Sequence, residues 1–186
     1  MKRYEVLTKL LKNRPHKVGC EVGVNTGETT SYMLKHLPGI EKYYVVDPWR
    51  SYKVKGVGMY NGPAKSAKNI ERGWERIIIS FMKNTVKQSE KIILLRTFST
   101  KAVQHVPDES LDWVFIDAHH RAKYIRENLH IWTPKVKIGG IISGHDYGNP
   151  NEAKKGWGIK QEVDIFVPKK DLNIEDDYTY WFVRKK

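Results

Sequence analysis

Acidic and imidazole side chains follow two apolar, strand-like runs in the second half of the chain. These polar residues are Asp117, His119, His120, His145 and Asp146. Neighbouring parallel strands end at the same edge of an open sheet, so side chains that follow them converge there. Buried polar groups need partners, and the simplest shared partner is a cation or a substrate. The sequence therefore predicts a reactive or metal-binding centre at these strand ends.

A second set of candidate residues surrounds a glycine-containing turn near the N-terminus. Residues 21–27 read Glu-Val-Gly-Val-Asn-Thr-Gly and lie between a β-type run and a helical run. Gly23 and Gly27 lack a Cβ, so the chain can turn tightly and a ligand can approach the backbone. Asp47 ends the next apolar run, where a carboxylate can accept hydrogen bonds from ribose hydroxyls. The negative charge of Glu21 would oppose a pyrophosphate but suits a cationic ligand.

These two features together resemble the first and second motifs of the class I S-adenosylmethionine-dependent methyltransferases, whose cofactor is a sulfonium with an amino-acid tail. The resemblance extends over most of the chain. It implies that S-adenosylmethionine contacts Glu21, Gly23, Asn25, Thr26, Gly27, Asp47, Trp49, Thr97, Phe98, Ser99 and Asp117. In this interpretation Glu21 and Gly23 border the methionine part, Asp47 binds the ribose and Trp49 covers the adenosine. Ser99 has an alternative role as the cap of the following helix.

The later polar segments resemble a subgroup of that family, the small O-methyltransferases that act on hydroxyls of catechols, sugars and natural products, often with a divalent metal. Asp117 and His120 match one motif of the subgroup, and His145-Asp146-Tyr147 matches another. The resemblance implies that Asp117, His145 and Asp146 bind Mg²⁺ or another divalent metal. Imidazole suits Mn²⁺, Fe²⁺ or Zn²⁺ better than Mg²⁺. The alternative is a metal-free cluster in which His145 orients Asp146.

Methyl transfer to a hydroxyl needs help because a hydroxyl is a weak nucleophile. A base can remove its proton, or a Lewis acid can lower its pKa. His120 and His119 are the candidate bases, and Asp117 is the third catalytic candidate, through a metal that stabilises the developing alkoxide. Adjacent histidines point in different directions, so only one is expected to face the substrate, and His120 is favoured because it matches the subgroup.

Composition limits the class of protein. The chain has 186 residues, 40% of them hydrophobic and 29% charged, which fits one soluble domain, and we expect a single class I methyltransferase domain over residues 1–186. No apolar run reaches membrane-spanning length, and the first residues do not resemble a signal peptide. Cys20 is the only cysteine, which excludes an intramolecular disulfide and a Cys-rich zinc site. A reducing, cytoplasmic setting is expected.

The partners expected from the sequence are small molecules, with a nucleic-acid alternative. The hydroxylated small-molecule acceptor follows from the resemblance. The net charge of +12 favours polyanions, so a methyltransferase for RNA or another polyanion is the alternative. A third hypothesis is a non-catalytic nucleotide-binding scaffold. No membrane partner is expected, and the resemblance is compatible with a homodimer.

Strand-like and helix-like runs alternate along the chain. This pattern predicts an α/β, Rossmann-like, seven-stranded, mostly parallel sheet with helices on both faces and an antiparallel last strand. Helices are predicted at 4–12, 29–36, 67–87, 122–132 and 158–166. Strands are predicted at 17–22, 42–46, 92–96, 113–116, 140–143, 172–174 and 178–183. Residues 48–65 interrupt the alternation and are predicted to form a mobile lid or substrate loop.

Overall fold

The computed structural model describes residues 1–54, 58–60 and 70–186, and the elements named here lie within those ranges. The strands are β1 Val18–Val22, β2 Lys42–Val46, β3 Tyr52–Val54, β4 Gly58–Tyr60, β5 Ile92–Leu95, β6 Leu111–Ile116, β7 Val136–Gly144, β8 Asn173–Ile174 and β9 Tyr180–Val183. The α-helices are α1 Arg3–Leu11, α2 Glu28–His36, α3 Ile70–Thr85, α4 Ser99–Ala102, α5 Ala122–Trp132, α6 Glu152–Lys155 and α7 Ile159–Phe166.

Seven of these strands form one sheet in the order β5-β2-β1-β6-β7-β9-β8. The first five strands in that order are mutually parallel, whereas β9 is antiparallel to both of its neighbours. The chain moves outward from β1 through β2 to β5, and then returns to the other side of β1 with β6. The predicted Rossmann-like sheet is therefore confirmed, including its antiparallel strand near the C-terminus.

The central strands are buried on both faces, as parallel strands covered by helices on each side must be. Side chains alternate between the two faces. Along β6, Val114 and Ile116 pack into one apolar cluster with helices α5 and α7, whereas Trp113 and Phe115 pack into another with α1 and α2. The sheet consequently has two cores, and it holds the carboxyl ends of its strands at fixed positions.

Most element boundaries lie within about two residues of the predicted ones, but β7 begins at Val136 and not at 140, and the short helices α4 and α6 were not predicted. Strand β2 and helix α5 have the predicted bounds, and α3 begins at Ile70 within the predicted helix. The predicted loop at 48–65 instead contains β3 and β4, which pair as an antiparallel ribbon. The β-favouring residues of Tyr52-Lys-Val54 account for this strand. The rest of that prediction, including its mobility, falls in part on residues 55–57 and 61–65, which lie outside the described residues.

The polar strand ends meet where the direction of chain progression reverses, between β1 and β6. Open α/β sheets bind ligands in the crevice outside the carboxyl ends at such a point. Within the described residues, none of the helices combines the length and the apolar character that crossing a membrane requires.

Candidate functional site

A cavity of about 950 Å³ lies at the carboxyl ends of β1, β2, β6 and β7. Sites for small molecules occupy roughly 300–1,000 Å³, so this cavity has room for a cofactor and a second reactant. Its walls include the ends of these four strands, the start of α5, and residues of α1 and α6.

Gly23 allows the turn after β1 to pass against the end of β6. Its φ is +93°, and a Cβ at this position would overlap the backbone carbonyl of Asp117. Only glycine satisfies both conditions without strain. The amide of Gly23 donates to Val46 O at 2.8 Å, and the amide of Asp117 donates to Val22 O at 2.8 Å. These contacts place the three strand ends side by side at the cavity floor.

Glu21 is a buried carboxyl group at the floor of the cavity. Its Oε2 accepts hydrogen bonds from Thr30 Oγ1 at 2.6 Å and from Tyr43 Oη at 3.1 Å. Burial raises the pKa of Glu21 to about 8, although both hydrogen bonds act in the opposite direction. A cationic group placed beside it would favour the ionised carboxylate. Glu21 is therefore suited to bind a positive charge that enters the cavity.

Asp47 holds the glycine turn in place through its carboxylate. Oδ2 accepts from the amides of Val24 at 3.0 Å and Asn25 at 3.1 Å, and Oδ1 accepts from the amide of Trp49 at 2.8 Å. Burial nevertheless raises the pKa of Asp47 above its usual value. A carboxylate offers about four acceptor positions, so one position is left for a ligand hydroxyl.

Trp49 differs from its predicted role. Its side chain is 1% exposed, packs on Phe81 with 5.0 Å between ring centroids, and is not part of the cavity lining. Its Nε1 donates to Asn25 O at 2.9 Å. The interpretation of Trp49 as a cover for adenosine is therefore corrected: the indole is a core side chain, and its hydrogen bond to Asn25 O stabilises the glycine turn.

The other predicted cofactor residues divide into two groups. Gly23, Asn25, Phe98, Ser99 and Asp117 line the cavity, but Thr26, Gly27 and Thr97 do not. Gly27 precedes α2 with a φ of +77° and therefore shapes the turn. The Ser99 hydroxyl bonds to Asn128 and accepts from Trp132 Nε1 at 2.7 Å. Phe98, not Ser99, is the cap residue of α4, so the alternative cap role of Ser99 is wrong.

Asp117, His120 and Asp146 form a compact polar cluster at the ends of β6 and β7. His120 Nε2 lies 3.2 Å from Asp117 Oδ1 and 3.3 Å from Asp146 Oδ2. One potential ligand atom from each of the three residues lies within 4.8 Å of the others. Asp146 has a φ of +64°, a left-handed conformation that costs some backbone strain and is common at functional sites.

His145 takes a different position from the one that the sequence predicts. It is not part of the three-residue cluster. Its Nδ1 lies 3.4 Å from Asp146 Oδ2, and its Nε2 lies 3.4 Å from Asp177 Oδ2. The contact with Asp146 matches the metal-free alternative, in which His145 orients that carboxylate. Burial lowers the pKa of His145, but the Asp146 and Asp117 carboxylates outweigh it and raise the pKa overall.

The two adjacent histidines point to different surroundings. His119 Nδ1 accepts from the amide of Arg121 at 3.2 Å, and its ring packs on Tyr124 with 4.5 Å between centroids. Burial, together with the charges of His120 and Arg121, lowers the pKa of His119 to about 4. His119 is therefore neutral near pH 7 but a weak base.

Several residues that the sequence did not single out also line the cavity. Arg3 comes from α1, and its Nε lies 3.5 Å from Asp117 Oδ2. Arg121, Tyr124, Lys155 and Trp157 also line the cavity, and the Trp157 ring lies 4.5 Å from the His120 ring. No local sequence signal marks Arg3, because its approach depends on the docking of α1. Gly156 and Gly158 mark a turn at Trp157 in the sequence, but they do not indicate which way its side chain faces.

The donor sets in the cavity fit two kinds of bound group. Glu21, Gly23 and Asp47 offer a buried acid, an open backbone and an acceptor for hydroxyls, which together suit a cationic nucleoside. Asp117, His120 and Asp146 offer two carboxylate oxygens and one imidazole nitrogen, a mixed set that suits Mn²⁺, Fe²⁺ or Zn²⁺ better than Mg²⁺. The nearby Arg3 guanidinium acts against a second cation at this place.

A protein-family model described as Methyltransferase domain matches residues 20–147 of this chain. The matched region is more than half of the sequence and contains the glycine turn, Asp47 and the Asp117/His120/Asp146 cluster. Comparison with curated protein sequences gives no match.

Solved structures with the same fold act on different acceptors. The N-methyltransferase NodS from Bradyrhizobium japonicum WM9 has a TM-score of 0.64 at 16% identity, over 99% of this chain and 95% of NodS. The O-methyltransferase NovP has a TM-score of 0.65 at 16% identity, over 99% and 80%. A candidate rRNA methylase from Clostridium thermocellum has a TM-score of 0.65 at 12% identity, over 100% and 97%. At these identities the likeness concerns the fold, and the acceptor must be argued from the site.

Proposed function

This chain belongs to the Methyltransferase domain family, and we propose that it transfers a methyl group from S-adenosylmethionine to a hydroxyl group of a small molecule. One observation carries the choice of a hydroxyl: His120 Nε2 lies between the carboxylates of Asp117 and Asp146, in the same cavity as Glu21 and Asp47. A hydroxyl must lose its proton as it becomes methylated, and this cluster can accept a proton and stabilise the resulting charge.

The cofactor is expected to lie across the ends of β1 and β2. Bound S-adenosylmethionine supplies the electrophilic methyl group. The ionised Glu21 carboxylate would attract the positive end of the amino-acid tail, and the open position on Asp47 would accept from a ribose hydroxyl. Phe98 offers an aromatic face to the base. These contacts would direct the methyl group toward the ends of β6 and β7, where His120 lies.

His120 is proposed as the base. Its Nε2 faces both carboxylates, so a proton held there leaves Nδ1 as the basic nitrogen. Asp117 and Asp146 would orient the ring and stabilise the imidazolium that forms when Nδ1 takes the acceptor proton. His119 is less suited to this role, because the lone pair of its Nδ1 is occupied by the Arg121 amide.

Binding of a divalent metal is a further proposal, and the structure allows its ligands to be named. Asp117, His120 and Asp146 would hold it, and it would supply a Lewis acid that lowers the pKa of the acceptor hydroxyl. The Nε2 atom of His120 cannot bind a metal while it carries a proton. Metal assistance and base assistance by His120 are therefore separable by experiment.

We also propose that the catalytic domain extends over residues 1–186 and not only over the matched 20–147. Arg3 and Trp157 lie outside the matched region, yet both line the cavity. Strand β9 pairs with β7, and the cavity residues His145 and Asp146 directly follow β7.

A labelling experiment tests the proposed function. The purified protein is incubated with S-adenosylmethionine that carries a ¹³C methyl group, and with a panel of catechols, hydroxybenzoates, sugars, amines and short RNA oligonucleotides. We expect an oxygen-bound methyl signal with a hydroxylated small molecule, and its loss in His120→Ala. Transfer only to nitrogen or only to RNA would contradict the proposal.

A further inference from the structure

Two cationic side chains line the same cavity as His120. Arg121 and Lys155 both line the cavity, and Arg121 is half-buried. Among the residues that the structure describes, neither side chain forms an ion pair or a side-chain hydrogen bond. Two positive groups that lie near each other in a concave site repel one another, and an anion between them would relieve that repulsion.

Three acidic groups on the nearby helices are already engaged with other donors. Glu152 Oε1 accepts from the amide of Lys160 at 2.8 Å. Glu162 binds Arg126 in a bidentate pair at 2.7 and 2.8 Å. Asp164 accepts from Tyr147 Oη at 2.6 Å. These acids could pair with Arg121 or Lys155 only if they gave up the hydrogen bonds that they already make.

Backbone contacts join the two chain segments that carry these cations. The amide of Gly158 donates to His120 O at 2.9 Å, which ties the segment after α6 to the residue beside Arg121. Gly156 has a φ of +63°, and the place where its Cβ would lie is 3.9 Å from Arg121 Nη1. The guanidinium therefore lies beside the turn that directly follows Lys155, whose side chain is exposed.

Trp157 links the basic pair to the proposed base. Its ring lies 4.5 Å from the His120 ring, centroid to centroid, and Lys155 Nζ lies 4.3 Å from the centroid of the same indole. The Lys155 ammonium and the His120 imidazole therefore both contact the same indole. An acceptor bound beside Trp157 is near both groups.

We propose that the methyl acceptor carries an anionic group, a carboxylate or a phosphate, which binds between Arg121 and Lys155 while its hydroxyl faces His120. This inference rests on the proposed function and narrows its substrate class. A hydroxylated aromatic acid and a hydroxyaryl phosphate each combine a hydroxyl and an anionic group on one flat ring. Guanidinium groups bind such oxyanions with paired hydrogen bonds.

The other charges of the cavity agree with this arrangement. The carboxylates of Asp117 and Asp146 both face His120, and Glu21 lies at the other end, beneath the glycine turn. Glu127 also lines the cavity, but it lies six residues along α5 from Arg121, which is about 9 Å of helical rise.

A binding experiment with matched probes tests the proposal. The protein is first loaded with S-adenosylhomocysteine and then titrated calorimetrically with 4-hydroxybenzoate, 4-hydroxyphenyl phosphate and the neutral 4-hydroxybenzamide. We expect at least one anionic probe to bind about tenfold more tightly than the amide. The stronger of the two identifies carboxylate or phosphate as the natural group. Higher salt should weaken the anionic probes only.

Variants assign the effect to the two cations. Arg121→Gln combined with Lys155→Gln should remove the preference for the anionic probes, whereas Lys154→Gln, on the same short helix but outside the cavity lining, should preserve it. The proposal is overturned if S-adenosylhomocysteine binds but neither anion binds more tightly than the amide, or if a short uridine oligonucleotide binds more tightly than both. Failure of S-adenosylhomocysteine to bind would instead overturn the proposed function itself.

Discussion

Arg3 Nε lies 3.5 Å from Asp117 Oδ2, so helix α1 brings a guanidinium to the carboxylate at the end of β6. The amide of Arg3 donates to Asp177 Oδ2 at 2.9 Å, and that oxygen lies 3.4 Å from His145 Nε2. The N-terminal helix and the turn between β8 and β9 are therefore joined to the cavity floor by charged groups.

The remaining contacts close a circuit around the cavity floor. His145 contacts Asp146, Asp146 contacts His120, and His120 contacts Asp117. Acidic and basic side chains alternate along these contacts, and the backbone amide of Arg3 completes the circuit by donating to Asp177. The removal of one member is expected to change the ionisation or ligand affinity of the next.

The Arg3 charge should weaken metal binding at the Asp117 cluster. Replacement by Arg3→Met removes a cation near Asp117 and should tighten Mn²⁺ binding by about tenfold or less, because the site is partly exposed. Calorimetric titration of Mn²⁺ into the chelated protein measures this change. Arg3→Lys keeps the charge and serves as the control. Equal affinity in the wild type and Arg3→Met would show that the guanidinium does not act on the site.

The ligand set of a bound metal can be read from two histidine variants. His120 belongs to the compact cluster and His145 does not, so His120→Gln should weaken Mn²⁺ binding by at least about tenfold. The matched variant His145→Gln should have a smaller effect, through the orientation of Asp146 only. The reverse order of the two effects would support the ligand set that the sequence implies, with His145 as the ligand.

Glu21 should make the stability of the ligand-free protein depend on pH. Its pKa in the folded state is about 8, against 4.5 as the ordinary value, so the folded protein binds more protons than the unfolded chain between these values. The contribution of Glu21 to the free energy of unfolding is therefore complete below pH 4.5, and it is lost as the pH rises through about 8. The loss is at most about 1.4 kcal/mol per pH unit. Urea unfolding at several pH values measures it.

The control for this pH effect is Glu21→Gln, which keeps an acceptor for Thr30 and Tyr43 but does not titrate. The difference in unfolding free energy between the variant and the wild type should change across the same pH window. A parallel pH dependence in both proteins would show that other groups are responsible. In the wild type, S-adenosylmethionine should also bind more tightly as pH rises toward 8, because binding then requires less deprotonation of Glu21.

His120 and His119 should differ in their effects on turnover. With any hydroxylated acceptor that the wild type methylates, His120→Ala should lower kcat by roughly 10²–10⁴-fold, the range for loss of a general base. His119→Gln should affect mainly the KM of the acceptor, because the ring packs on Tyr124 in the cavity wall. Affinity for S-adenosylmethionine should change little in either variant. A larger loss of kcat in His119→Gln would reverse the assignment.

Motifs with a local geometric cause could be predicted from the sequence. The turn at Gly23 and the acid at Asp47 follow from short-range strand and turn signals, and their strands are neighbours in the sheet. The ends of β6 and β7 were likewise predictable, because parallel strands align their carboxyl ends. The orientation of side chains within those ends was not, since it depends on single backbone angles such as the left-handed φ of Asp146.

Long-range packing explains the predictions that failed. Trp49 follows an acid and resembles a ligand-stacking residue in sequence, but its contact with Phe81 on α3 buries it in the core. Arg3 reaches the cavity only because α1 packs against α2, a contact without a local signature. Lys155 and Trp157 depend in the same way on the hydrogen bond between Gly158 and His120.

Calorimetric titration of S-adenosylmethionine into the chelated protein tests the central claim most directly. We expect micromolar affinity in the wild type and in Glu90→Ala, a variant of an exposed acid outside the cavity lining. Asp47→Ala should lose at least about a hundredfold in affinity. Part of that loss comes from the glycine turn, since Asp47 also accepts three backbone hydrogen bonds, and thermal unfolding without ligand reports that part separately. Absence of binding by the folded wild-type protein would contradict the account.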